Sequence, residues 1–543
     1  MANSDSVPGL LPPGTVHLLH VHGTSRSSDE LILVPKPSAH PDDPLNWSKS
    51  RKILHAALVY LYTFTTGVGG TSTYSILTDM SRDTGLTLTQ LNLGTAFIFL
   101  LAGWGNLIWQ PLALAYGRRP VYLLSTLGVV AVSEWTAHIN NFGQWAAARI
   151  LFGFFVAPVE VLPEISIPDI FFAHERGSYI GGYSMTLAGS NFIAPFIAGF
   201  MNDSIGWRWV QLWCAILLAL NFVLAFFFQE ESSWHRDEVE AETASGDADV
   251  RLGETAGVQG DPEKMTTTAE PVAANLSPTV TAGQTFTRKT YAQKLALWTN
   301  NHLSRTQIMR IVWRPFLILI HFPNILFAGF LYAFTNSWYS VYNATASLIL
   351  SSPPYNMSAA MVGVTYLAPL LGAIIGGIVA GPLSDRFTLF LAHRNNGIRE
   401  PEQRLWGVIT YTACLTIGLL MWGVGAAHSA PLGVLLFGSV LCGFGIVTGG
   451  SYAITYAVDC YKEIAGETIV SLIIVRNNMT FAFGYAITPW INASGLQNTF
   501  IAVSVICLVT GMSFLLMIWK GRALRISCEK RYWEYAASQL VKH

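Results

Sequence analysis

Apolar residues run along this chain in blocks of about 20, separated by short polar punctuation, and about 20 such residues are what a helix needs to cross a bilayer. Roughly twelve blocks qualify. The first six lie near 55–76, 90–113, 120–138, 143–166, 178–201 and 208–228. The second six lie near 316–340, 359–381, 404–426, 431–457, 466–488 and 498–519. The pattern predicts an all-α membrane protein with twelve transmembrane helices in two six-helix halves, 53–228 and 314–520. The tail at 1–52 is polar and Pro-rich and is expected to be disordered, with the first span as insertion signal. A central linker at 229–313 contains "RDEVEAETASGDADV", too acidic to build a core. Its end near 290–312 mixes apolar and basic residues and suggests a helix lying along the membrane surface. Residues 521–543 read as a second tail.

Composition agrees with this: 51% of the 543 residues are hydrophobic and only 12% charged. A net charge of −1 and the lack of a basic, aromatic-interleaved stripe predict no nucleic-acid partner. The six cysteines have neither paired nor metal-ligand spacing, and His17, His20 and His22 sit in a tail with no acidic partner, so neither a disulfide framework nor a metal site is expected. Lysine and arginine collect after spans 2, 4, 8 and 12 (Arg118, Arg119, Arg176, Arg386, Arg394, Arg399, Arg404, Lys520, Arg522, Arg525), which predicts cytosolic termini. Sequons at Asn202, Asn343, Asn356 and Asn492 would then face outward, close to the membrane.

The halves resemble each other weakly. Gln110-Pro111-Leu112 after span 2 corresponds to Gly381-Pro382-Leu383 after span 8, and the segments after spans 4 and 10 align Asp169 with Asp459. Paired six-span repeats are the mark of an internally duplicated transporter.

Polar residues inside the spans carry the candidate chemistry. On a continuous helix at 100° per residue, Arg149 and Glu160 fall about 20° apart and Glu164 about 60° from Arg149. Such a stripe is expected to face water or partners within the bundle, because a central ionised side chain costs about 2.5–3.5 kcal/mol even on lenient scales. Glu160 and Glu164 are candidates for carrying protons or binding a cationic substrate; the alternative is a structural pair with Arg149 or Arg476. Arg476 and Asn477, followed by Asn478, form a second polar island in span 11. Asn191 and Asn336 are weaker candidates, and Tyr452 and Tyr456, four apart on span 10, either stack on a ligand or anchor the interface.

At these residues the chain resembles the major facilitator superfamily, and within it the twelve-span fungal drug:proton antiporters that include polyamine and general-substrate carriers. The resemblance rests on "PDDPLNWS" (41–48), "YGRRP" (116–120), "RILFG" (149–153), "GWRW" (206–209) and "VDCYKEIAGE" (458–467). It implies a conformational gate built from Gly117, Arg118, Arg119, Asp169, Arg176, Asp385, Arg386 and Asp459, with Asp385 and Arg386 near the start of span 5. Two positions depart from the pattern. Leu114 replaces the acidic residue of the first gate loop, whose leading glycine is Gln110, and Ala194-Pro195 with Ala198-Gly199 replaces a glycine-rich signature on span 5. The implied activity is proton-coupled export of drug-like compounds or secondary metabolites across a plasma membrane by a monomer; uptake of polyamines or related cations is the alternative. A receptor that binds without transporting is a reading of another class. The lack of a Walker glycine loop and of a nucleophile-base pair argues against ATP and against an enzyme, and no cofactor is expected.

Overall fold

The computed structural model describes residues 12–17, 37–38, 40–234, 290–298, 304–395 and 397–538. The expected disordered linker falls mostly at 235–289, outside the described residues. Among the described residues, nine helical runs are long and apolar enough to cross a membrane, and a bent helix pair makes a tenth. Gly495 divides the last run, Lys462–Ser527, into two spans, and Arg118–Ala137 adds the twelfth.

Spans 1 to 3 are Lys49–Thr71, Leu88–Tyr116 and Arg118–Ala137. Span 4 is Phe142–Val156 continued through a 3₁₀ turn, Ala157–Glu160, into Leu162–Ile170. Spans 5 and 6 are Ala173–Ile205 and Trp207–Phe228. In the second half, span 7 is Pro323–Leu350, span 8 runs from Ala359 to Arg394 with breaks, span 9 is Val408–Ala427 and span 10 is Leu432–Cys460. Spans 11 and 12 lie on either side of Gly495, within Ala465–Met512 and Phe514–Ser527.

Local chemistry sets these limits. Thr87 and Gln90 form a reciprocal capping box at the start of span 2, with hydrogen bonds of 3.2 and 3.0 Å. Gly495 adopts φ 76°, ψ 162°, a left-handed conformation that costs an L side chain, and lets the chain double back between spans 11 and 12. Within span 8 a π turn at Val379–Leu383 surrounds Pro382, which lacks the N–H an α-turn needs.

Both boundaries of span 7 differ from the sequence expectation. Residues 316–321 belong not to span 7 but to a separate helix, Arg305–His321, set at 98° to Pro323–Leu350. Pro323 forces Phe322 out of the helical region (φ −120°, ψ 89°), and the chain turns there. Trp313, Leu317 and Ile320 point outward from this helix. Span 7 extends to Leu350, so Asn343 is buried in a helix and is no glycosylation site.

The tails are also more ordered than expected. Glu529–Ala537 is a helix with Tyr532 buried, and Arg314 donates to the carbonyls of Tyr535 and Ser538, both at 2.9 Å. In the N-terminal tail Val16–His17 pairs with Ile398–Arg399, and Asp43 accepts from Leu45 N at 3.0 Å to start a 3₁₀ turn. Both ordered tails lie at one end of the bundle, the terminal face.

The halves pack along spans 2 and 11 and along spans 5 and 8. Asn92 donates to Ala344 O (3.3 Å) and Thr488 Oγ1 (3.1 Å), and Trp104 Nε1 to Asn478 Oδ1 (3.2 Å). Span 5 meets span 8 backbone to backbone: a Cβ on Gly199 would lie 2.3 Å from Ala359 O.

Candidate functional site

The continuous stripe expected on span 4 is broken. Pro158 and Pro163 each remove a backbone donor, and the tighter 3₁₀ turn at Ala157–Glu160 changes the phase of everything beyond it. Arg149 is thereby separated from the two glutamates. It is buried behind the cavity wall, its guanidinium carbon 4.1 Å from the centre of the Trp145 ring and 5.8 Å from that of Phe152, and it does not itself line the cavity. Of the two expected settings, water or partners within the bundle, Arg149 has the second, a cation–π shelf.

Glu160 and Glu164 do reach water. Between the halves lies a cavity of about 300 Å³, lined from the first half by Glu160, Glu164, Tyr74, Tyr183 and Asn191 and from the second by Tyr332, Asn336, Tyr339 and Arg476, with apolar residues between. Glu160 accepts from Arg476 Nη2 across the halves, and Asn477 Nδ2 approaches its other oxygen at 3.4 Å. The remaining guanidinium donors are also engaged: Nη1 with Tyr332 OH at 2.7 Å, and Nε and Nη2 with Asn477 Oδ1 at 3.0 and 2.8 Å. Tyr332 also places its ring 4.9 Å from the Arg476 guanidinium. Buried charge is tolerable when paired and hydrogen-bonded in this way.

Glu164, one turn further along, lines the same cavity with no hydrogen-bond or ion-pair partner among the described residues. Nearby, Tyr183 donates to Val159 O at 3.1 Å, Asn336 to Thr480 Oγ1 at 3.0 Å and Tyr339 to Asn191 O at 3.4 Å. The site therefore offers one neutralised carboxylate, one unpaired carboxyl and several aromatic faces, an arrangement suited to a cation or a proton.

Three other candidates lie outside the wall. Asn477 is fully buried behind Arg476 and orients it. Tyr456 turns into the second half, where its hydroxyl accepts from Asn324 Nδ2 at 2.8 Å, and Tyr452 packs on Gly407 of the same half. Their shared helical face looks inward to their own half, so neither meets a ligand in the cavity. Tyr74, Tyr183, Tyr332 and Tyr339 were missed, because a single tyrosine in an apolar run carries no spacing signal.

The residues expected to gate form two separate knots on the terminal face. In the first half Arg118 pairs with Asp169 at 3.1 Å, and Arg118 N and Arg119 N donate to Glu231 at 2.9 and 3.0 Å. Arg119 also donates to Gln229 O (2.8 Å) and Phe226 O (2.7 Å), Arg176 to Phe171 O (3.0 Å) and Pro168 O (2.9 Å), and Gly117 makes the turn with φ 101°. In the second half Arg404 bridges Asp385 (2.7 Å) and Asp459 (3.4 Å), with Arg399 3.7 Å from Asp459, while Arg386 is exposed. With the terminal face open, Asp385 is held by Arg404 of its own half and makes no ion pair with the start of span 5 among the described residues. Glu231 and Arg404 complete these knots, and sequence reasoning did not place them there.

The opposite end is closed across the halves. Thr78 Oγ1 and Ser347 Oγ are 2.6 Å apart, and Asp203 accepts from Ala360 N at 3.1 Å. Ser184, on the cavity wall toward the terminal face, is exposed. The cavity therefore opens to the terminal face.

The sequence profile of the Major Facilitator Superfamily matches residues 59–393, more than half of the chain. The chain belongs to the major facilitator superfamily. This facilitator is 30% identical to an uncharacterized MFS-type transporter of Schizosaccharomyces pombe, over 95% of this chain and 91% of the relative. It is 27% identical to Protein HOL1 of Saccharomyces cerevisiae, over 93% and 92%. Among solved structures, the xylose transporter XylE from E. coli in a partially occluded inward-open conformation superposes with a TM-score of 0.54 at 11% identity, covering 86% of this chain and 99% of that one. At that identity the likeness shows the fold, and the facilitator is a multi-pass secondary transporter of the same two-half design.

Proposed function

We propose that the protein is a proton-coupled exporter of small amphipathic organic cations, working by alternating access from the plasma membrane with both termini cytosolic. The reading rests on one observation: Glu164 is an unpaired carboxyl on the wall of a cavity between the halves, one turn from a Glu160 already neutralised by Arg476. A carboxyl that holds either a proton or a cation makes the two compete for one place. Competition of that kind gives exchange, and a proton gradient directed inward then drives the cation out. Tyrosine faces supply cation–π contacts for the charged end, and Ile98, Phe99, Phe152, Ile446 and Val447 receive the apolar body. With cytosolic termini, the terminal face is the inner one and the structure is inward-open.

Relatives support exchange and drug-like cargo: MFS antiporter QDR3 and the major facilitator superfamily multidrug transporter FLU1, both of Candida albicans, are 22% and 25% identical over 91% and 84% of this chain. One feature favours uptake as a second reading, the Ala194-Pro195 and Ala198-Gly199 of span 5 where an antiporter-like glycine pattern was expected. Efflux and uptake of a labelled organic cation from cells expressing the protein, at two external pH values, separate the two. Export rises as external pH falls if the first reading holds; accumulation inside the cells contradicts it.

A further inference from the structure

Away from the cavity, a short piece of the N-terminal tail has a receptor built for it on the second half. Thr15 N closes a turn on Pro12 O at 3.0 Å, and Val16–His17 then pair antiparallel with Ile398–Arg399 between spans 8 and 9. Arg525, with no exposed surface, donates through Nη1 to Pro13 O and to Thr15 Oγ1 (3.2 Å), while Nε and Nη2 hold Glu402 at 2.8 and 2.6 Å. Gly14, at φ 79°, lies so close to span 10 that an added Cβ would stand 2.4 Å from Asp459 O. A buried guanidinium needs acceptors for its donors, and the tail supplies two of them.

This receptor is also the gate. The paired strand includes Arg399, which with Arg404 holds Asp459, and Arg404 holds Asp385. By residue 38 the tail has returned to the first half: Ser38 donates to Asp43 at 2.8 Å, and Trp47 packs with Ile167, Ile170 and Phe171. The tail therefore joins the two halves at the face where the cavity opens.

We propose that residues 12–17 are a clasp that favours the conformation open at the terminal face. Closing that face moves the connection between spans 8 and 9, with Asp385, toward the first half. The clasp fits this connection as it stands here, and a contact that is better in one state shifts the population toward it. The inference rests on alternating access, as proposed above, and on nothing about cargo or protons.

Spin labels at Ser178→Cys on span 5 and Phe387→Cys on span 8, both exposed, with the half-buried Cys414 replaced by serine, report the width of the mouth in proteoliposomes. Gly14→Val and deletion of residues 2–17 are each expected to raise the short-distance, mouth-closed population about three- to tenfold, the effect of losing one or two hydrogen bonds. Unchanged distance distributions in folded Gly14→Val protein overturn the clasp, and this variant decides alone should the deletion not fold. A tail-dependent distance shift without proton-driven flux sinks the export reading and leaves the clasp; flux without the shift does the reverse.

Discussion

Two glutamates one helical turn apart have opposite circumstances. Glu160 is bonded to Arg476, whose other donors go to Tyr332 and Asn477, whereas Glu164 has the cavity in front of it. Replacing Glu160 by glutamine strands a buried guanidinium at the interface of the halves. Loss of one partner of such a pair costs about 2–5 kcal/mol, so Glu160→Gln should melt measurably lower than the native protein, and Glu160→Gln with Arg476→Gln should recover part of the loss. Identical melting of the single variant and native protein would show that the pair contributes nothing. At the far face, Asp83 accepts from Trp207 Nε1 at 2.8 Å and pairs with Arg208, and these hold its carboxyl below the ordinary 3.8. A depressed carboxylate stabilises above its unfolded pKa and loses that contribution as pH falls through the lower folded value. Melting profiles of native protein and Asp83→Asn should therefore differ at neutral pH and converge only below about pH 4.

Elements show how sequence and structure diverge. Gly495 sits at φ 76°, so Gly495→Ala should cost about 1–2 kcal/mol, read as a lower melting temperature. Gly199→Val should prise spans 5 and 8 apart at the closed end, where Ala359 O leaves no room for a Cβ. A cysteine placed at Asn191 on the cavity wall should then react faster with an impermeant thiol reagent added from that end; unchanged labelling would contradict the close-packed seal. Most spans were legible because runs of about 20 apolar residues have few other uses. Span 4 was legible as an element but not as a geometry: a count at 100° per residue does not see the 3₁₀ turn that Pro158 and Pro163 impose, and Arg149 was misplaced as a result. The start of span 7 was misread because the helix before Pro323 is apolar enough to pass for membrane. Tyr452 and Tyr456 share a helical face as their spacing requires, but spacing does not say which half that face addresses.

Across the whole molecule, the site exists only where the halves meet. The cavity draws on spans 1, 2, 4 and 5 of one half and 7, 10 and 11 of the other, so the meeting of Glu160 with Arg476, 316 positions apart, was one of two pairings the sequence left open. The knots on the terminal face are each confined to one half, while Thr78 to Ser347 and Asp203 to Ala360 cross between halves at the other end. Polar contacts thus tie the halves at one end, whereas toward the terminal face the polar knots stay within each half and the halves meet through apolar packing of Val161 and Ile165 on Val470 and Ile473, a difference suited to a rocking carrier. The central claim is that Glu164 carries the proton that is exchanged for cargo. Native protein and Glu164→Gln, reconstituted in vesicles, should be compared for accumulation of a labelled organic cation driven by a pH gradient and for its exchange at equal pH. The account predicts that Glu164→Gln loses gradient-driven accumulation at least about tenfold, the loss of a contact worth roughly 1.4 kcal/mol. Accumulation by Glu164→Gln at the native rate and extent would contradict it.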